Sequence, residues 1–241
     1  MNLNSNNIEH NSDFYSSKII HIENINSNYL IFKINRPSNF NYNAGQFVSF
    51  KLSDDQGEFH YQYSIASNNK NKESLEFCIQ TLGVGRGVQF WKKLKIGEII
   101  SFKNAQGNFN IVNYNNPIVF IAGGSGISPI RSFIYDLLEK NTHIHLVYGC
   151  KLASSIPFKK EFIDLSKKYS SHFKIKIVAE EEESDFVIKG DILSAIKNNA
   201  HLFEKNSDFY ICGSQEMTKA VQNELINSIK INMNKIFIDN A

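Results

Sequence analysis

The residues best suited to chemistry gather around glycines. Ile121-Ala-Gly-Gly-Ser-Gly-Ile-Ser-Pro129 follows an apolar run of strand length. It opens an amphipathic helix in which Ile130, Phe133, Ile134, Leu137 and Leu138 recur at helical spacing. Gly123, Gly124 and Gly126 permit backbone angles and close approaches that a Cβ would forbid. Ser128 suits a helix N-cap, and Pro129 the first helical position. A helix N-terminus offers unpaired N–H groups and partial positive charge, which is a place for a diphosphate. Tight strand–helix turns also use glycine for structure alone. Position favours a ligand here, because the loop lies at the first strand–helix crossover of a β-α series, where open α/β sheets bind ligands.

A second segment, Tyr210-Ile-Cys-Gly-Ser-Gln-Glu-Met217, again ends a strand at a glycine and begins a helix. Cys212 would stand at the strand's carboxyl end beside the same crevice. A buried small hydrophobe is the equal alternative. Metal chemistry finds no support. Cys78, Cys150 and Cys212 are far apart with no C-x-x-C pair, whereas zinc and iron–sulfur sites need about four clustered ligands. His143 and His145 would share one face of a strand, and without a third ligand they read as sheet-packing or surface residues.

The elements that must position these residues fall into two rhythms. The first half is strand-like: Tyr29–Ile34, Gln46–Leu52, Tyr61–Ala66, Ser74–Gln80 and Glu98–Phe102, with a short helix around Val88–Leu94. Turn residues separate the strands, which implies a barrel or sandwich. The second half alternates strand and helix from Pro117 to Ile238, which implies a parallel sheet with helices on both faces. The change of rhythm falls near Val112–Asn116. The chain has 241 residues, comfortable for two domains, and its 42% hydrophobic and 21% charged content is that of a globular protein. A net charge of +2 with no basic block argues against nucleic acid as a partner. No stretch approaches the ~18–20 apolar residues of a membrane span. Met1–Asp13 is polar and Asn-rich, without the apolar core of a signal peptide, and reads as a flexible lead-in. Three unpaired thiols and no export signal favour the cytoplasm. Glu180–Glu183, a run of four acids, reads as a solvated loop after a strand.

Taken together the segments resemble the ferredoxin–NADP⁺ reductase superfamily, in the right order from about His21 to Asp239. "YNAGQFVSF" (Tyr42–Phe50) looks like the family's P-G-Q-F-V strand, with Ala44 at the usual proline. "YQYSIAS" (Tyr61–Ser67) looks like its R-x-Y-S flavin motif, and "LEFCIQTLGVGRG" (Leu75–Gly87) like the flavin-phosphate segment after it. "IAGGSGISPIRSFI", "VYGCK" (Val147–Lys151) and "YICGSQEM" follow at the expected places. The resemblance implies a two-domain β + α/β fold. An antiparallel flavin-binding β-barrel is expected over 14–112, after a lead-in of 1–13. A doubly wound NAD(P)-binding domain with a five-stranded parallel sheet is expected over 113–241. It also implies the chemistry: hydride from NAD(P)H onto bound FAD (FMN less so), then electrons onward to a separate acceptor protein.

Carried over residue by residue, Tyr63 would pack against the isoalloxazine and Ser64 would reach flavin N5. Ile65, Ala66 and Ser67 would support the ring through their backbone. Gly83, Val84, Gly85, Arg86 and Gly87 would approach the flavin phosphates. Gly123, Gly124, Ser125, Gly126 and Ser128 would bind the nucleotide diphosphate and ribose. Cys212 and Gly213 would border the nicotinamide, and Asp239 falls near a C-terminal acid of some members. Ser64 and Cys212 are thus the catalytic candidates. Two positions depart from the pattern. Tyr61 stands where an arginine normally neutralises flavin phosphate, and Val88 where a serine is expected. Arg86, in the same loop, is the candidate to compensate. No acid lies between Lys151 and Lys160 to hold ribose hydroxyls. Lys151, Ser154, Ser155, Lys159 and Lys160 would suit a 2′-phosphate, which leans the nucleotide toward NADPH. Two other functions compete: a reductase of free flavin or ferric chelates, and a non-catalytic regulatory subunit that has lost flavin.

Overall fold

The computed structural model describes residues 14–240, so the expected lead-in lies outside the described residues. Strands β1 (Phe14–Ile25), β2 (Tyr29–Asn35), β3 (Phe47–Asp54), β4 (Gly57–Ser64) and β5 (Ser74–Gln80) come first. Helix α1 (Arg86–Lys92) and β6 (Ile99–Lys103) follow. They form one antiparallel sheet in the order β4-β3-β6-β1-β2-β5, curled into a barrel-like half. Alternation of side chains puts Val48, Phe50 and Leu52 of β3 inside, with Leu75, Phe77 and Ile79 of β5. Trp91 of α1 plugs the interior, stacked on Phe32 at 5.1 Å.

β1 is the longest strand and is missing from the sequence reading. Only Ser17 and Ile19 of its twelve residues are buried, so it carries almost no apolar alternation. It pairs with β6 through its first half and with β2 through its second, with an irregular register between Ile19 and His21. A tight turn at Asn26 and Ser27, both with positive φ, reverses the chain into β2.

The second half contains β7 (Ile118–Gly123), α2 (Ile127–Leu138), β8 (Ile144–Cys150), α3 (Lys159–Lys168), β9 (Phe173–Ala179) and β10 (Val187–Lys189). It closes with α4 (Ile192–Asn199), β11 (Asp208–Gly213), α5 (Gln215–Asn227) and β12 (Ile236–Asn240). The parallel sheet has the order β10-β9-β8-β7-β11-β12. It has six strands, not five, because Val187–Lys189 pairs with Ile177–Ala179 at the edge. Three residues are too few to show a period in sequence. β7 is buried on both faces, Ile118 and Phe120 against α2 and Val119 and Ile121 against α4 and α5. The chain runs from β7 to β10 in one direction, then returns with β11 on the other side of β7. The reversal opens a crevice beyond the carboxyl ends of β7 and β11, where both glycine segments lie.

Candidate functional site

The loop after β7 is tightly built. Gly124 has φ +54, and a Cβ there would stand 2.8 Å from the Tyr29 hydroxyl of the barrel. A Cβ on Gly126 would stand 2.4 Å from the Cys212 carbonyl oxygen. The Tyr148 hydroxyl donates to the Gly124 carbonyl at 3.1 Å. A 3₁₀ turn, Gly124–Gly126, leads into α2, whose N-cap is Gly126 with no capping side chain. The expected N-cap role of Ser128 is therefore corrected. Ser128 lies inside the first turn, 2% exposed, and donates to the Cys78 carbonyl of β5 at 3.4 Å. The extra turn displaces it, and the first amides of α2 stay free of a side-chain cap.

A cavity of about 290 Å³ opens over this loop, bordered by Gly123, Gly124, Ser125 and Lys151. Glu180, at the end of β9, and Asp191 also border it. Asp191 caps α4, accepting from the Ser194 amide at 2.8 Å. That bond holds its carboxyl below the usual carboxylate range. The basic groups expected to await a 2′-phosphate are engaged. Lys151 pairs with Glu181 at 3.1 Å, and the Ser154 amide donates to Glu182 at 3.2 Å. Lys160 pairs with Asp164, and Lys159 donates to the Ala153 carbonyl. The carboxylates absent between Lys151 and Lys160 arrive from the neighbouring strand end. A parallel sheet aligns consecutive carboxyl ends, a signal already present in Glu180–Glu183.

A second cavity, about 380 Å³, lies between the ends of β4 and β5 and the glycine loop. Tyr63 and Ser64 line it, with Gln62, Cys78, Ser128 and Asp239. Ser125 and Gln80 line both cavities, so the two are contiguous. Tyr63 accepts from the Trp91 indole at 2.9 Å. Burial pushes its phenol up to about 12, so its proton remains available to donate. The Ser64 hydroxyl has no partner among the described residues.

Other expected residues do not reach either cavity. The Ile65 amide donates to the Gln46 carbonyl, the Ala66 amide to the Glu76 carbonyl, and Ser67 Oγ accepts from the Glu76 amide. These bonds fasten the strands to one another. Cys212 is fully buried, and burial pushes its thiol up. It and Gly213 lie beneath the glycine loop, Cys212 in register with Asp239. His143 pairs with Glu204 and His145 packs edge-on against Phe203. Among the described residues no group of three or more His, Cys, Asp or Glu could hold a metal.

The Gly83–Gly87 loop is open. No atom lies within 4 Å of where a Cβ would stand on Gly83 or Gly85, and Val84 is 84% exposed. Tyr61 covers Gly87, whose Cβ would stand 2.6 Å from its ring. Arg86 is not free. Its guanidinium binds Asp54 through Nε at 2.8 Å and Nη2 at 2.5 Å, donates to the Gly57 carbonyl and lies over the Phe59 ring. The compensation expected of Arg86 thus meets a competing carboxylate.

Arg131, which the sequence reading passed over, ties the halves together. It is 6% exposed and donates to the Ala66 carbonyl at 2.7 Å, to Glu76 at 2.8 Å and bidentately to Glu161. Stripping one partner from a buried pair costs about 3–5 kcal/mol. An arginine on the apolar face of α2 was the available signal. The β1–β2 turn adds a clasp: Asn26 donates to the Ser154 carbonyl and Asn28 to Ser155 Oγ.

Two family models match. One, described as oxidoreductase FAD-binding domain, covers residues 16–111, and another, oxidoreductase NAD-binding domain, covers 120–223. The gamma subunit of sulfhydrogenase 2 from Pyrococcus furiosus is 29% identical, with 88% of this chain aligned to 78% of that protein. A probable flavin reductase of Aliivibrio fischeri is 27% identical over 92% of this chain and 95% of its own. In three dimensions the chain resembles a ferredoxin NADP⁺ reductase of Neisseria gonorrhoeae, solved with FAD and NADP. The TM-score is 0.83 at 21% identity, over 95% and 99% of the two chains. Among the described residues no helix is long and apolar enough to cross a membrane.

Proposed function

Because the chain belongs to the ferredoxin–NADP⁺ reductase superfamily of FAD- and NAD(P)-binding oxidoreductases, we propose that it takes hydride from NADH through FAD and supplies electrons to a separate acceptor protein. The observation that carries this reading is the contiguity of the two cavities. Ser125 borders both, so a ring held over one can meet a ring held in the other.

The residues present fit FAD. The cavity beside Tyr63 and Ser64 has an unpartnered hydroxyl at its wall, and Gly83 and Gly85 leave open space for a phosphate chain. When bound, FAD supplies a two-electron acceptor that can release its electrons singly. Ser64, whose hydroxyl has no partner among the described residues, would orient the ring by donating to it. Tyr63, held by Trp91, lines the same cavity and would pack against the ring. The first turn of α2, which has no side-chain cap, would receive the nucleotide diphosphate. Arg131 keeps the two halves in register.

NADH is preferred to NADPH in this reading. Glu180 and Asp191 suit ribose hydroxyls and repel a 2′-phosphate, and Lys151 is paired with Glu181. A relative that is one subunit of a larger enzyme supports a separate acceptor. One observation favours a second reading, a reductase of exchangeable flavin. Tyr61 brings no charge where the arginine is expected and Arg86 is bound to Asp54, so neither of these two offers a free cation to a phosphate.

Anaerobic stopped-flow reduction with each nucleotide tests the proposal. NADH should bleach the flavin, and Ser64→Ala should slow that step by about 10²–10³-fold while leaving flavin bound. A protein that purifies with flavin yet is not bleached by either nucleotide would overturn it. Flavin lost on simple dilution would favour the second reading.

A further inference from the structure

Strand β5 presents three side chains to the nucleotide-binding half, at every second residue: Glu76, Cys78 and Gln80. Their partners differ. Glu76 is fixed by Arg131 at 2.8 Å and by Lys33 at 3.4 Å. Cys78 is 3% exposed, packs with Tyr29 and Ile31, and accepts at its carbonyl from Ser128. Gln80 ends the strand, is exposed, and its side-chain amide has no partner among the described residues. It pairs in register with Tyr29, whose hydroxyl abuts the glycine loop. Glu76 through its carboxylate and Cys78 through its main-chain carbonyl hold the halves together; the side chain of Gln80 is left free where the two cavities meet.

We infer that Gln80 binds the carboxamide of the nicotinamide as the ring passes from one cavity to the other. The inference rests on the proposed function above, since it requires a nicotinamide to make that passage. A primary amide offers one acceptor and two donors. A carboxamide offers the same groups, so the two can form a reciprocal pair of hydrogen bonds. Gln62, the other free amide nearby, borders only the second cavity. Ser125 borders both but sits on the glycine loop itself, where it meets the diphosphate end. Gln80 approaches from the barrel side, opposite that loop. A ring caught between them is fixed at both ends.

The test compares two ligands on the FAD-loaded protein by calorimetry. The first is 1,4,5,6-tetrahydro-NAD, which keeps the carboxamide and cannot give hydride. The second is ADP-ribose, which has no nicotinamide. Gln80→Leu should weaken the first roughly tenfold, the worth of one to two neutral hydrogen bonds, and leave the second unchanged. Unchanged ADP-ribose binding also reports that the variant is folded. If Gln80→Leu does not fold, Gln80→Glu, of equal size but without the amide donors, carries the same comparison. A second readout uses reduced 3-acetylpyridine adenine dinucleotide, in which a methyl replaces the carboxamide nitrogen. Its affinity penalty relative to NADH should be present in the wild type and absent in Gln80→Leu. Equal effects on tetrahydro-NAD and ADP-ribose, or no effect on either, would overturn the role of Gln80 alone. Failure of the wild type to bind either ligand would overturn the nucleotide reading together with it.

Discussion

Two glycine loops, Gly123–Gly126 and Gly83–Gly87, read alike in sequence and are built differently. Each follows a strand and opens a helix. In the first, Gly124 and Gly126 are pressed by the Tyr29 hydroxyl and the Cys212 backbone, and Gly123 by the Met217 sulfur. In the second, Gly83 and Gly85 face open space, and only Gly87 is covered. A closed loop has its amides in place before a ligand arrives. An open loop depends on its neighbours, and here Asp54 holds the one arginine of the loop. Glycine spacing reveals that a loop exists; the contacts decide how firmly it grips.

Replacing one glycine in each loop should break the comparison most sharply. Gly126 has φ −60 and Gly85 φ −63, so both backbones accept alanine. The difference lies in space. At Gly126 the new methyl meets the Cys212 carbonyl, which is strand backbone and cannot swing away. Gly126→Ala should cost about 1–3 kcal/mol and lower Tm by several degrees. Nucleotide binding should fall with it, because the loop must shift. Gly85→Ala should stay within about 0.5 kcal/mol of wild type. Thermal melts of both variants decide the matter. Equal losses would mean that the two loops are equally constrained.

The nucleotide side can be sharpened at Glu180. It borders the cavity over the closed loop, and Lys151 of the same cavity is paired to Glu181 instead. Glu180→Gln removes a charge that repels a 2′-phosphate and retains a group that can bond a ribose hydroxyl. The ratio of kcat/KM for NADPH over NADH should rise about tenfold, an effect of roughly 1.4 kcal/mol. A wild type that already prefers NADPH would defeat this account.

Much of this was legible in the residues. The alternation of β3 and β5 and the helical spacing of α2 arise because one apolar face of each packs into a hydrophobic core, which leaves a period in sequence. β1 left none, because it buries only two side chains. Ser64 and the glycine loop both line the contiguous cavities, at the places where their motifs ended strands. Ile65, Ala66 and Ser67 did not meet the cavity, because their hydrogen bonds are taken up by Gln46, Glu76 and Tyr42. Motifs mark where a chain turns, not which atoms remain unpaired afterwards. The same holds for the nucleotide pocket. Linear reading searched for a carboxylate after β8, while the sheet brought it from the end of β9. Arg131 was visible only as an odd charge in an apolar helix; its three partners, Ala66, Glu76 and Glu161, come from distant segments.

The smallest effect concerns the open loop and its occupied arginine. Asp54 lies at the end of β3 and Arg86 at the start of α1, and their bidentate pair closes the β3–β4 hairpin onto the loop. The guanidinium beside Asp54 holds its carboxyl below the usual range, so the aspartate stays charged at neutral pH and competes with any phosphate for Arg86. The pair is exposed to solvent, where such contacts are individually weak. Asp54→Asn removes the competing charge while keeping the side chain's shape. FAD affinity should then tighten by about threefold. Riboflavin, which lacks phosphate, should bind as before. Arg86→Ala in the wild-type background should change FAD affinity little, since the arginine is already engaged. Flavin titrations of the apoprotein measure all three. If Arg86→Ala weakens FAD by tenfold or more while Asp54→Asn does nothing, the arginine turns to the phosphates on binding, and the open loop grips as the closed one does.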